Sequence, residues 1–299
     1  MQLVRVNGPA DRLKSLALGG LTSDESRIAY GRALDGFMSW LPASGYRFGR
    51  EAVLAWRDLL CDQGLSPVTV NVHLVALRRL AREAASNGYL SFEASASIQD
   101  VPGVRRLGQR LGRWLSKAQA VELLQAPQDD TAKGLRDRAL LSILVGCGLR
   151  RAEAAGLEVD QIQIREGRWL LVDVRGKGGR LRSVQVASWT YAAVTRWLER
   201  AQITEGPIFR ALRRGGAVTQ RAMTPRAIAL VVAEHSGIVE PISPHDLRRT
   251  FAKLAHRGGA PLEQIQIALG HESIQTTERY LAVDQDLHDA PCDRLGISI

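Results

Sequence analysis

The sequence is short of paired cysteines, of long apolar runs and of metal-ligand spacings, and each shortage removes a class of function. Its three cysteines, Cys61, Cys147 and Cys292, are an odd and widely spaced set with neither a disulfide framework nor a zinc pattern, which predicts a reducing cytoplasm. No window reaches the roughly 18 uninterrupted apolar residues that cross a bilayer, and no charged N-terminal segment leads into an apolar one. The expectation is a cytoplasmic chain, neither exported nor membrane-embedded. The six histidines, His73, His235, His245, His256, His271 and His288, make no His-x-x-x-His pair, so no metal is expected. Glycines at 176–179 and at 215 and 216 lack the strand, GK[ST] and helix of a phosphate-binding loop, which argues against nucleotide hydrolysis. No cofactor is called for, and there is no internal repeat.

Set against those absences, 299 residues exceed one ordinary domain and suggest two compact units. A hydrophobic fraction of 45% with 24% charged residues is that of a globular protein. The net charge of +9 and the pI of about 10.0 point to a polyanionic partner, with nucleic acid first. Three stretches contain no acid at all. They hold Arg105, Arg106, Arg110, Arg113 and Lys117; then Arg175, Lys177, Arg180, Arg182 and Arg196; then Arg210, Arg213, Arg214, Arg221 and Arg226. Together they favour phosphate contacts.

The pattern of apolar and breaking residues predicts a mainly α, two-domain protein. Residues 1–109 read as an N-terminal helical bundle, with helices from Thr22 to Trp40, Arg50 to Gln63, Ser66 to about Ala84 and Phe92 to Gln99. Val70, Leu74, Leu77, Ala81 and Ala84 share one face of the third helix, which is core. Asn71, Arg78 and Arg82 fall on another face, open to DNA or to water. From about residue 101 Pro102, Gly103 and the arginines up to Arg113 read as an exposed linker. Residues 110–299 read as a mixed α+β domain with a small antiparallel sheet. Its strands are Gln161 to Ile164, Trp169 to Val174 and Leu181 to Val186, with the glycine-rich turn at Lys177 joining the last two. Helices are expected over 116–124, 135–145, 188–201, 224–235, 245–257, 261–269 and 274–282.

Taken singly, the polar residues of the second half are ordinary. Arg150 and Glu153 make an i, i+3 pair, His245 and Arg248 stand at a helix start, and Tyr280 is compatible with a core position. As an ordered set they are not ordinary. Cys147-Gly148-Leu149-Arg150-Arg151-Ala152-Glu153, Gly176-Lys177-Gly178-Gly179-Arg180, His245-Asp246-Leu247-Arg248-Arg249-Thr250-Phe251, and Leu269-Gly270-His271 followed by Thr277-Glu278-Arg279-Tyr280 closely resemble the signature of the tyrosine recombinases, the phage integrase family. The resemblance covers residues 116–282. Cys147 stands where threonine is frequent in the family, and Arg249 where histidine often is.

The resemblance implies a SAM-like core-binding domain before the linker and a catalytic domain after it, closing as a clamp on duplex DNA. It implies Tyr280 as nucleophile, Arg150 and Arg248 on the scissile phosphate, and Glu153 orienting Arg150. It also implies His245 as general base, His271 as a hydrogen-bond donor to the phosphate and Lys177 as general acid on the leaving 5′ oxygen. Fixed guanidinium groups suit this chemistry because a phosphodiester gains negative charge as its pentavalent transition state forms. A phenol with an ordinary pKa near 10 needs that positive field and a base before it attacks. Arg78, Arg82, Arg105, Arg106, Arg110 and Arg113 are the expected DNA contacts. The partner the resemblance implies is double-stranded DNA at specific inverted-repeat sites, bound by a homo-tetramer that is weakly associated or monomeric when free. A DNA-binding accessory protein of the same fold and a type IB topoisomerase are the alternatives. The nineteen residues after Tyr280, with Leu287, Leu295 and Ile297, either pack on a neighbouring subunit or fray.

Overall fold

The structure, a computed structural model, describes residues 8–21, 23–105, 113–128, 130–237, 241–273 and 276–277. The chain divides into two compact units, Met1–Arg110 and Leu111–Ile299.

The first unit is helical among its described residues: α1 (Pro9–Gly19), α2 (Asp24–Trp40), α3 (Arg50–Asp62), α4 (Pro67–Ser86) and α5 (Phe92–Gln99). The side chains of Ser23, Ser66 and Ser91 accept hydrogen bonds from Ser26, Thr69 and Ala94 N–H and so cap α2, α4 and α5. The sequence reading began its helices at Thr22 and missed α1. The apolar face expected on α4 is the core: Val70, Leu74, Leu77, Ala81 and Ala84 are all essentially solvent-free. Burial of the larger of these side chains stabilises by roughly 1.5–3 kcal/mol each. Phe37, Trp40, Phe48 and Trp56 pack as a tilted and edge-on cluster beside them.

The expected linker begins differently from its reading. Val101 is buried, and both hydrogen-bonding edges of Asn71 engage the Val104 backbone, Nδ2 donating to its carbonyl and Oδ1 accepting from its N–H, each at 2.9 Å. Arg78 Nη2 donates to the Val101 carbonyl at 2.5 Å. Residues 101–104 are therefore tied to α4, while Arg82 and Arg105 are exposed.

The second unit holds α6 (Lys117–Gln125), α7 (Ala132–Gly146), α8 (Arg151–Ala155), β1 (Ile162–Arg165), β2 (Arg168–Arg175), β3 (Leu181–Val186), α9 (Ser188–Ala201), β4 (Arg210–Leu212), β5 (Val218–Ala222), α10 (Pro225–Ser236), α11 (Pro244–Arg257) and α12 (Leu262–Leu269). α7 is buried along nearly its whole length and forms the centre of the core. Trp197 of α9 is fully buried, its indole N–H donating to the Ile208 carbonyl at 2.8 Å. The sheet β1-β2-β3 is antiparallel throughout. A second, two-stranded antiparallel sheet, β4-β5, was absent from the sequence reading. Of the helix expected over 274–282, only Thr276 and Thr277 lie within the described residues. No described helix is long and apolar enough to cross a membrane.

Candidate active site

The site grows from the end of α7. After Gly146 the chain turns through Cys147, which is buried, its thiol pushed up to about 12 by desolvation. It then passes Gly148 at φ +60, where a Cβ would sit 2.6 Å from Phe251 Cδ1. Only glycine suits that position, on backbone conformation and on space. The turn delivers Arg150 to the start of α8. There Glu153 folds back, Oε2 accepting from the Arg150 backbone N–H at 2.8 Å and Oε1 from Arg150 Nη1 at 2.7 Å. The carboxylate thus closes the helix start and aims the guanidinium.

Glu153 is shared. Arg182 of β3 grips it with two nitrogens, Nη1 to Oε1 at 3.1 Å and Nη2 to Oε2 at 2.8 Å, and Arg248 Nη1 lies 3.9 Å from Oε2. Burial by itself would raise the Glu153 carboxyl. The hydrogen bonds and charge of Arg182, with those of Arg150, outweigh it and hold the carboxyl below its ordinary value. Three guanidinium groups around one carboxylate leave an excess of two positive charges. Arg150 keeps a 35% exposed side chain, whereas those of Arg182 and Arg248 are 10% and 1% exposed. The accessible cation is therefore Arg150.

α11 supplies His245 and Arg248. Ser243 and Asp246 cap it reciprocally, the Asp246 carboxylate accepting from Ser243 N–H and the Ser243 hydroxyl accepting from Asp246 N–H. Arg248 Nη1 donates to the Gly148 carbonyl at 2.7 Å and Nη2 to that of Leu269, so one side chain joins the turn before Arg150 to the end of α12. α12 stops at Gly270 in the left-handed conformation, and His271 follows. His271 Nδ1 is 2.9 Å from the hydroxyl oxygen of Thr277, itself fully buried. Burial first, then the charges of Arg248, Arg150, Arg182 and His245, push the His271 imidazole down to about 4. Desolvation and the neighbouring Arg249, Arg248 and Arg150 lower His245 as well, against the opposing pull of Asp246.

The structure therefore gathers Arg150, Glu153, His245, Arg248 and His271. Lys177 lies in the turn Lys177–Gly179, which Gly176 N–H closes by donating to the Arg180 carbonyl at 2.7 Å. Tyr280, Arg106 and Arg110 lie outside the described residues. Arg113 is exposed, with Nη1 donating to the Pro241 carbonyl at 2.6 Å.

By sequence Arg182 falls among the acid-free basic residues expected to favour phosphate contacts; in the structure it is instead largely buried against Glu153. The strand period carried the signal, since Arg182, Val184 and Val186 share one face of β3 and Val184 is buried. An arginine on an apolar face calls for an acidic partner. A second cluster was also missed because its members are distant in sequence. Asp137, Glu234 and His235 place ligand atoms within 4.8 Å of one another. Lys133 donates to both carboxylates, at 3.0 and 2.5 Å, and Arg136 forks onto Asp137, so these acids already have cationic partners.

Residues 113–286 match the model of the phage integrase family. Tyrosine recombinase XerD of Pseudomonas aeruginosa is 33% identical over 282 residues, covering 89% of this chain and 90% of that protein. Among solved structures, XerH site-specific recombinase bound to palindromic difH substrate overlays with a TM-score of 0.67 at 19% identity, over 86% of this chain and 76% of that one. A lambda integrase dimer bound to a COC' core site gives 0.67 at 15% identity, over 93% and 95%. The chain belongs to the phage integrase family, the tyrosine-type site-specific recombinases.

Proposed function

We propose that this protein cuts and rejoins DNA strands through a 3′-phosphotyrosyl intermediate and exchanges strands between paired sites. The observation that carries the reading is the buried Glu153, which fixes guanidinium groups in excess beside two histidines of lowered pKa. An anion with two free oxygens is the natural occupant of such a site.

In the proposed reaction the Tyr280 phenolic oxygen attacks the scissile phosphorus, and His245, neutral because its pKa is lowered, accepts the phenolic proton. The bond from phosphorus to the 5′ oxygen breaks as the phosphorus–tyrosine bond forms, and Lys177 protonates the leaving oxygen. Arg150 meets the phosphate first because its fork is the accessible one. Arg248 joins when an incoming oxygen replaces the Leu269 carbonyl as acceptor for Nη2. With the Thr277 hydroxyl donating to Nδ1, neutral His271 presents Nε2–H as a further donor. Attack by a 5′ hydroxyl from another duplex reverses each step, so one phosphodiester replaces another and no nucleotide is consumed.

Residues 1–109 form the core-binding DNA-binding domain in this reading, with a linker from about 101, and residues 110–299 the catalytic domain. Exposed Arg82, Arg105 and Arg113 are the described candidates for phosphate contacts, with Arg106 and Arg110 beyond them. Arg78 acts on the protein's own backbone in the free state. The enzyme works in the cytoplasm as a tetramer on inverted-repeat sites. On a nicked suicide duplex bearing the site enriched by binding selection, the wild type is expected to form a covalent adduct. Tyr280→Phe is expected to bind equally well and form none; an undiminished adduct removes Tyr280 from its role.

A further inference from the structure

We propose that Arg182 is a positioning residue for this chemistry: it locks Glu153, and through it the Arg150 guanidinium, to the turn that presents His271. The inference rests on the recombinase reading above and adds a residue to it.

Three features set Arg182 apart from the exposed basic residues around it. First, all three side-chain nitrogens are engaged, Nη1 and Nη2 on the two oxygens of Glu153 and Nε on the Ala268 carbonyl at 2.9 Å. Ala268 belongs to the last turn of α12, whose carbonyls have no partner within the helix. Second, the pair is buried, with side chains 10% and 3% exposed, so it lies beyond the reach of screening that weakens surface pairs. Arg180 two residues earlier pairs with Glu272 at 68% and 75% exposure and offers the contrast. Third, the approach is close. A Cβ at Gly270 would lie 3.0 Å from Arg182 Cδ, so the residue preceding His271 is shaped around this side chain.

One planar group therefore joins three segments that supply separate parts of the site. β3 follows directly on the Lys177 turn, α8 carries Arg150 and Glu153, and α12 leads into His271. Lysine would keep the charge but cannot hold two carboxylate oxygens and a carbonyl in three fixed directions. Arg182 does not reach solvent as Arg150 does, so it acts through Glu153 and the α12 turn and does not touch the substrate.

The test compares wild type, Arg182→Lys, Arg182→Gln, Glu153→Gln and the Arg182→Lys/Glu153→Gln double variant on the same suicide duplex. Site affinity, adduct formation rate and melting temperature are measured for each. Arg182→Lys is expected to bind within about twofold of wild type yet cleave roughly 100-fold more slowly, because a small misplacement of the reacting groups is enough. The double variant is expected to be no slower than Glu153→Gln alone, since both lesions break one linkage. An NMR titration adds a readout that packing alone does not move: in Arg182→Gln the His271 imidazole rises toward its ordinary pKa, and in Arg182→Lys it stays low.

Wild-type cleavage by Arg182→Lys, or effects that multiply in the double variant, would overturn the proposal. So would affinity and cleavage falling together with a lowered melting temperature, which would mark a purely structural ion pair. A wild type that forms no adduct would overturn the recombinase reading itself, whereas a cleaving wild type beside an unaffected Arg182→Lys would overturn this inference alone.

Discussion

His271 stands where several positive charges converge, and that has a consequence measurable without DNA. In the unfolded chain the imidazole takes up its proton near pH 6.5; in the folded protein burial and the neighbouring arginines delay that to about 4. A histidine whose folded pKa is depressed supports stability above the unfolded value, and the support drains away as pH falls toward the folded one. The stability of wild type relative to His271→Gln is therefore expected to be flat above pH 7 and to shrink between about 6.5 and about 4. Denaturant melts at stepped pH read this, and a difference that stays constant across the window would contradict the account. The same charges explain the resting state: with His271 and His245 neutral, the excess cation is guanidinium, which remains charged at any working pH.

At the level of elements, the site depends on a turn that admits one residue. Gly148 combines φ +60 with the close approach of Phe251 and Leu269, and its carbonyl accepts from Arg248. Gly148→Ala is expected to cost about 2–5 kcal/mol, the sum of a left-handed backbone penalty and overpacking. Urea denaturation measures it, and a loss below about 1 kcal/mol would mean the turn relaxes freely. The motif containing this glycine was readable because its chemistry needs fixed residue types in chain order. Several elements were readable as well: helix α5, strand β3 and helix α9 fall on their expected bounds, and the buried face of α4 follows from apolar period alone. What escaped has physical reasons. β4 and β5, at three and five residues, are too short to show a strand period. The capture of residues 101–104 by Asn71 and Arg78 depends on hydrogen bonds across more than twenty residues, which no local pattern encodes. Arg182 was grouped with candidate phosphate contacts because it falls in an acid-free stretch, although the alternation of β3 turns it inward.

For the whole molecule, a charge of +9 over 299 residues gives a general attraction to a polyanion, but most of the described basic residues are exposed and select nothing by themselves. Selectivity for chemistry comes from the small buried fraction. Arg182 and Arg248 are withdrawn from water, oppose one carboxylate and leave Arg150 open at the mouth of the site. The two compact units divide the labour in the proposed reading, one half contributing grip and the other reaction. The central claim is that this field serves a tyrosine nucleophile, and the most direct measurement is the identity of the residue that keeps the DNA. Wild-type protein trapped on the suicide duplex, digested with protease and nuclease and analysed by mass spectrometry, is expected to yield one nucleotide-bearing peptide, modified at Tyr280 through a 3′-phosphate. Modification at any other residue, or attachment through the 5′ end, would contradict the account.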